Sequence, residues 1–210
     1  MSTIGAINLT RWYNMEEGTS FDFPGLHVDL TLPGTEVAEK SVVIPTLPHG
    51  ANIVSVQTGL EDLGDCDALI TRDKTKMLGI KTADCAPVCF ADGNTVGIAH
   101  VGWRGLCLGL VEKTAGHFSA ESLVVYVAPF LNDFEIKKDD CYEQIAQKFG
   151  GQFFDEREGR VMFNFKDAIA SLLPPQTVFD VRTTENLSFP SYRRDKTIER
   201  FYTTVSFPAV

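Results

Sequence analysis

Between Ser41 and Gly102 the chain is cut into short apolar, β-branched runs, SVVIPT, NIVSVQT, DALIT, MLGIKTAD, APVCFAD and TVGIAHVG, with turn residues such as Asp92-Gly93-Asn94 between them. Segments so brief and so rich in Val and Ile read as strands, and a sheet-rich middle is the first constraint on the fold. A helix is expected from Trp103 or Arg104 through GLCLGLVEKTAGHF, weakened by two internal glycines, with the strand SLVVYVAP after it. Tyr142, Ile145, Ala146 and Phe149 keep helical spacing between Asp139-Asp140 and Gly150-Gly151. Phe165, Ala168, Ile169 and Leu172 repeat that spacing, with Asn164 as the expected N-cap and Pro174-Pro175 as terminator. The tail returns to strands, and the first forty residues carry the weakest pattern. Strict βαβ alternation is missing, so the expected class is α/β (α+β), with mixed β-sheets flanked by helices.

A chain of 210 residues with 44% hydrophobic content suits one sizeable core, and residues 1–210 are expected to form a single domain. The formal charge of −9 disfavours a nucleic-acid groove or an anionic membrane surface, both of which need clustered Lys and Arg, and favours a small-molecule partner. MSTIGAINLTRWYNMEEG has no basic segment followed by a long apolar one, and no run approaches the roughly 18 apolar residues of a span, so a cytoplasmic protein is expected. The five cysteines, Cys66, Cys85, Cys89, Cys107 and Cys141, form no CxxC pair; they read as free thiols or metal ligands.

Four histidines occur, His27, His49, His100 and His117. His49 lies in the turn TLPHGAN, while Cys85 and His100 stand at or near the ends of apolar runs, where loops build sites. Two imidazoles and one thiolate would make a three-ligand zinc site with an open fourth position. A buried thiol beside two hydrogen-bonded histidines, or a thiol-imidazole nucleophile pair, fits the same residues. Gly102-Trp103-Arg104-Gly105 resembles a strand-to-helix turn whose N–H groups and Arg104 guanidinium would hold an anion; the other reading pairs Arg104 with a carboxylate such as Asp84. In SYRRD, an extended backbone would send Arg193 and Arg194 to opposite sides, leaving at most one for a given cleft.

DALIT, KTADCAPVCFAD, GIAHVGWRG and SYRRD, in this order between His49 and Asp195, resemble the signature blocks of the YfiH-like family, long labelled multicopper polyphenol oxidases or laccase-domain proteins and later assigned as purine nucleoside phosphorylases. The resemblance implies a fold similar to the catalytic domain of cytotoxic necrotizing factor and a zinc site at His49, Cys85 and His100, with copper as a substitute in vitro. It implies phosphorolysis of adenosine, inosine and methylthioadenosine, with adenosine deamination beside it, so nucleoside and phosphate are the expected partners and the oligomeric state is open. Within that reading Cys85 and His100 are also catalytic, Asp84 is a general acid/base or an orienting group, and Arg104 and Arg193 hold the phosphate. Leu47 stands where the family has a Gln, Arg182-Thr183 where it has Cys-Thr, and APFLNDFEIKKDD where it has a Gly-Pro-rich segment. The alternatives are a zinc- or Cys-dependent amide hydrolase acting on a small cell-wall precursor and a divergent, non-catalytic zinc-binding member. A multicopper oxidase needs around ten His or Cys ligands, more than four histidines supply.

Overall fold

The computed structural model describes residues 19–35, 42–182, 184 and 189–209; the N-terminal stretch before Thr19 and the Thr183 departure lie outside them. The chain opens with a hairpin, β1 (Thr19–Phe23) and β2 (Leu26–Thr31), followed by β3 (Val42–Val43) and β4 (Ile53–Val56). The four apolar runs that follow become β5 (Ala68–Thr71), β6 (Met77–Thr82), β7 (Ala86–Ala91) and β8 (Val96–Val101). Then come α1 (Trp103–Cys107), α2 (Leu110–Ala115), β9 (Val124–Val127), β10 (Phe134–Ile136) and α3 (Asp140–Phe149). The chain ends through β11 (Phe154–Arg157), β12 (Arg160–Phe163), α4 (Phe165–Ala170), β13 (Val178–Phe179), α5 (Tyr192–Asp195) and β14 (Phe201–Ser206).

Among the described residues a six-stranded sheet, ordered β13-β9-β7-β8-β5-β4, stacks on a five-stranded sheet, ordered β1-β2-β14-β6-β3, and a three-stranded sheet, β10-β12-β11, stands apart. Both large sheets are mixed: β4 runs parallel to β5, β3 to β6 and β13 to β9, while the other pairs are antiparallel. The result is a single mixed α/β domain. Helices cover only one face of the six-stranded sheet, because its other face packs on the five-stranded one.

This layering explains why β7 is apolar at every position. Val88 and Phe90 point into the core shared with α1, α2 and α4, while Cys89 and Ala91 point into the core between the sheets. A strand buried on both faces has no polar side to alternate with. The single helix expected after Trp103 is two, broken at Gly109, whose backbone takes φ 79°. Only glycine enters that left-handed conformation without a steric cost, so the chain bends there and α2 restarts at an angle that seats Leu110 and Val111 on the sheet. Asp139 caps α3 as its spacing suggests, accepting from the Cys141 N–H at 3.0 Å. Asn164 does stand at the N-cap of α4, but its side chain is not the cap: it donates instead to Asp155 at 3.0 Å. Among the described residues no helix is long and apolar enough to cross a membrane.

Candidate metal centre

The pairing of β7 with β8 sets up the site. Their antiparallel register places Ala86 opposite Val101 and Pro87 opposite His100, so Cys85, just before β7, arrives beside Gly102, just after β8. A Cβ on Gly102 would lie 3.2 Å from both Cys85 Sγ and His49 Cδ2. Any side chain there would crowd both groups, which is what the glycine of GWRG avoids. Next along the chain, a Cβ on Gly105 would stand 3.0 Å from the Gly50 carbonyl oxygen, so α1 packs directly on the turn that carries His49.

His49, Cys85 and His100 thereby meet. Their donor atoms all lie within 4.8 Å of one another, and the two imidazole rings stand edge to face with centroids 4.7 Å apart. His100 is buried, Cys85 half-buried and His49 exposed, so the cluster opens to solvent on one side. Among the described residues no other group of His, Cys, Asp and Glu side chains is so disposed. His27 is held between Asp22 and Asp29 on the first hairpin, and His117 is exposed at the end of α2.

The thiols differ sharply. Burial alone would push Cys85 up, but hydrogen bonds from His100 and His49, and their charges, bring it down to about 6. Burial pushes Cys107 and Cys141 up to about 11 and carries Cys66 and Cys89 upward as well. Burial likewise opposes charge on His100, yet its bonds to Asp67 and Cys85 raise it to about 9. Cys85 is thus the one cysteine whose surroundings favour the thiolate, the form that ligates a metal. Two imidazoles and a thiolate, with one side open, are a donor set that suits zinc.

The other residues singled out in the sequence are placed as follows. Asp84 adopts φ 84° at the turn before Cys85, and its carboxylate faces away from the cluster. It accepts from Ser191 Oγ at 2.6 Å, Thr184 Oγ1 at 3.0 Å and the Arg193 N–H at 2.8 Å. Those bonds tie the turn before Cys85 to the tail of the chain. Arg104 is exposed on α1, with its guanidinium 5.0 Å from the neighbouring Trp103 ring, and it makes no ion pair with Asp84. SYRRD forms the short helix α5 instead of an extended strand, so Arg193 and Arg194 both border one open cleft of about 580 Å³, together with Leu131, Phe134, Lys137 and Lys196. Arg193 lies 3.9 Å over the Phe134 ring, whereas Arg194 is taken up by Asp195 and the carbonyls of Phe189 and Thr184.

Leu47, in place of the family's Gln, has φ 62° and packs against the core between the sheets. Arg182 grips Asp180 with Nε at 2.8 Å and Nη2 at 2.5 Å and lies against the rings of Phe21 and Phe189, holding the first hairpin to the tail. Neither departure removes a donor from the cluster. One functional group escapes the sequence reading altogether: Asp67, the first residue of DALIT, whose buried carboxylate lies 2.9 Å from His100 Nδ1. The trace it leaves is an acid directly before a wholly buried strand, ALIT.

Comparison with known proteins gives the chain's family. The purine nucleoside phosphorylase of Aquifex aeolicus is 34% identical over 178 residues, which are 80% of this chain and 83% of that protein. The purine nucleoside phosphorylase YfiH of Escherichia coli is 28% identical over 165 residues, 72% of this chain and 68% of that one. The crystal structure of Bacillus licheniformis YfiH superposes with a TM-score of 0.74 at 19% identity, over 89% of this chain and 98% of that one. YlmD from Geobacillus stearothermophilus gives 0.72 at 19% identity, over 89% and 93%. The family model described as multi-copper polyphenol oxidoreductase laccase matches residues 30–207. The chain therefore belongs to this laccase-domain family, whose named relatives include the YfiH-type purine nucleoside phosphorylases.

Proposed function

We propose that the protein is a zinc-dependent purine nucleoside phosphorylase, acting on adenosine, inosine and methylthioadenosine, with adenosine deamination at the same site. The observation that carries the reading is the convergence of His49, Cys85 and His100 in a chain whose relatives bear the phosphorylase name. His49, Cys85 and His100 would hold a zinc ion, and the chemistry it would supply there is Lewis-acid polarisation of a substrate oxygen. In phosphorolysis a phosphate oxygen bonds to the anomeric carbon of the ribose as the bond to the purine nitrogen breaks, giving the sugar phosphate and the free base. Arg104 and Arg193 are assigned to the phosphate, since guanidinium forks pair with its oxygens in two parallel bonds. Asp84 holds the Arg193 turn in register with Cys85. Copper could occupy the same donors in vitro, but four histidines fall short of the ligand count of a multicopper oxidase.

A second reading, a thiol-dependent amide hydrolase, draws support from the lowered Cys85 thiol beside His100. Adenosine and inosine incubated with and without inorganic phosphate separate the two. Base release that requires phosphate and yields a sugar phosphate is expected; no base release from any nucleoside, with turnover of amide substrates, would replace the phosphorylase reading by the hydrolase one.

A further inference from the structure

We propose that Asp67 is the positioning residue of the metal centre, one buried carboxylate that fixes the ring of His100 and the backbone of His49 together. The inference rests on the metal reading above. Oδ1 lies 2.9 Å from His100 Nδ1 and accepts the His49 N–H at 2.9 Å, while Oδ2 accepts the Gly50 N–H at 2.6 Å. The Asp67 main chain joins in: its carbonyl accepts the His100 N–H at 2.7 Å, and its own N–H donates to Asn52 at 3.0 Å. Asp67 has no exposed surface, and a carboxylate out of water is tolerated only when its lone pairs meet donors, as these do.

The consequence for the ligands is geometric. With Nδ1 of His100 turned to Asp67, Nε2 is left to face Cys85 and the metal, the arrangement in which an outer carboxylate fixes the orientation and tautomer of a ligand imidazole. His49 is held differently. Its backbone sits at φ 67°, a conformation costly for a residue with a side chain, beside Leu47 at 62°. The bonds from the His49 and Gly50 N–H groups to one anchored carboxylate hold the strained turn and direct the His49 ring toward His100. Two ligands from distant parts of the sequence thus share a single support, so loosening it should disturb both.

Asp67→Asn keeps the shape but has one acceptor oxygen, so its NH₂ must confront either the Gly50 N–H or both the His49 N–H and His100 Nδ1. Zinc affinity should fall about 10- to 100-fold, the usual effect of removing such an outer partner. The visible spectrum of the cobalt-substituted protein should shift as the ligand geometry changes, a signature that loss of global stability alone would not produce. A folded Asp67→Asn with undiminished zinc affinity and an unchanged cobalt spectrum would overturn the inference while leaving the metal reading intact; a wild type that binds no zinc would overturn both. Should the variant not fold, the wild type decides. Histidine-selective ¹⁵N spectra of the zinc-loaded protein should show His100 protonated at Nδ1 and ligating through Nε2, and ligation through Nδ1 would refute the role of Asp67.

Discussion

Asp84 accepts the Arg193 N–H at 2.8 Å, tying the turn that carries Cys85 to the turn that carries the cleft arginine. The motif TADC and the motif SYRRD, with Asp84 and Arg193 109 residues apart in the sequence, are in this way two halves of one junction, closed by Ser191 and Thr184.

Asp84→Asn should therefore act on stability. Asn tolerates the backbone at φ 84° but offers one acceptor oxygen where Asp84 offers two, leaving buried donors competing for it. An orphaned buried donor costs about 1–3 kcal/mol, and denaturant unfolding should show a loss of that size with the metal retained. An unchanged unfolding midpoint would mean the junction carries no stability.

Gly102→Ala tests the crowding at the cluster. The added Cβ meets Cys85 Sγ and His49 Cδ2 at 3.2 Å, so one of them must give way. Overpacking of this kind costs about 1–3 kcal/mol, and weaker zinc binding should accompany it in a calorimetric titration. Wild-type affinity in this variant would show that the glycine serves the turn alone.

Thiol chemistry separates the cysteines. In metal-free protein at neutral pH, Cys85, lowered to about 6, should be alkylated by iodoacetamide ahead of Cys107 and Cys141, which lie at about 11. A lowered thiol keeps its thiolate above that value and loses it below, so labelling should fall as the pH drops through 6. Peptide mass spectrometry reads each site, and equal labelling of Cys85 and Cys141 would contradict the thiolate assignment.

Arg104→Ala should leave zinc content and stability nearly unchanged, since the side chain is exposed and lies over the neighbouring Trp103 ring. Phosphate-dependent nucleoside cleavage should drop about ten- to a hundredfold, the worth of a charge-assisted contact, with Arg104→Lys recovering part of it. Full phosphorolysis by the folded Arg104→Ala protein would remove Arg104 from the phosphate site.

The sequence makes the strands legible wherever a strand is buried on both faces, because β5, β7 and β8 then read as predominantly apolar runs, broken only by Thr71 and His100. It makes His49, Cys85 and His100 legible as a candidate set because turn and strand-end residues are free to converge, although the register that joins them is a property of the pairing. The first hairpin is harder. Its second strand alternates cleanly, with Leu26, Val28 and Leu30 buried, but its first is an edge strand with only Phe23 buried, and its place is fixed by β14 from the far end of the chain. The small sheet of β10, β11 and β12 leaves no periodic trace in three- and four-residue strands. SYRRD turns helical because Ser191 caps it by accepting the Arg194 N–H and because Asp84 holds the Arg193 N–H, a partner far away in sequence. Asp67 is hidden for the same reason: its three acceptor contacts come from His49, Gly50 and His100, and none is local.

Elemental analysis of the purified wild type beside Cys85→Ala, with phosphate-dependent release of adenine or hypoxanthine measured on the same samples, tests the central claim most directly. About one zinc per chain in the wild type is expected, with zinc and phosphorolysis lost together in Cys85→Ala. Undiminished zinc in the variant, or phosphorolysis that persists without metal, would contradict it.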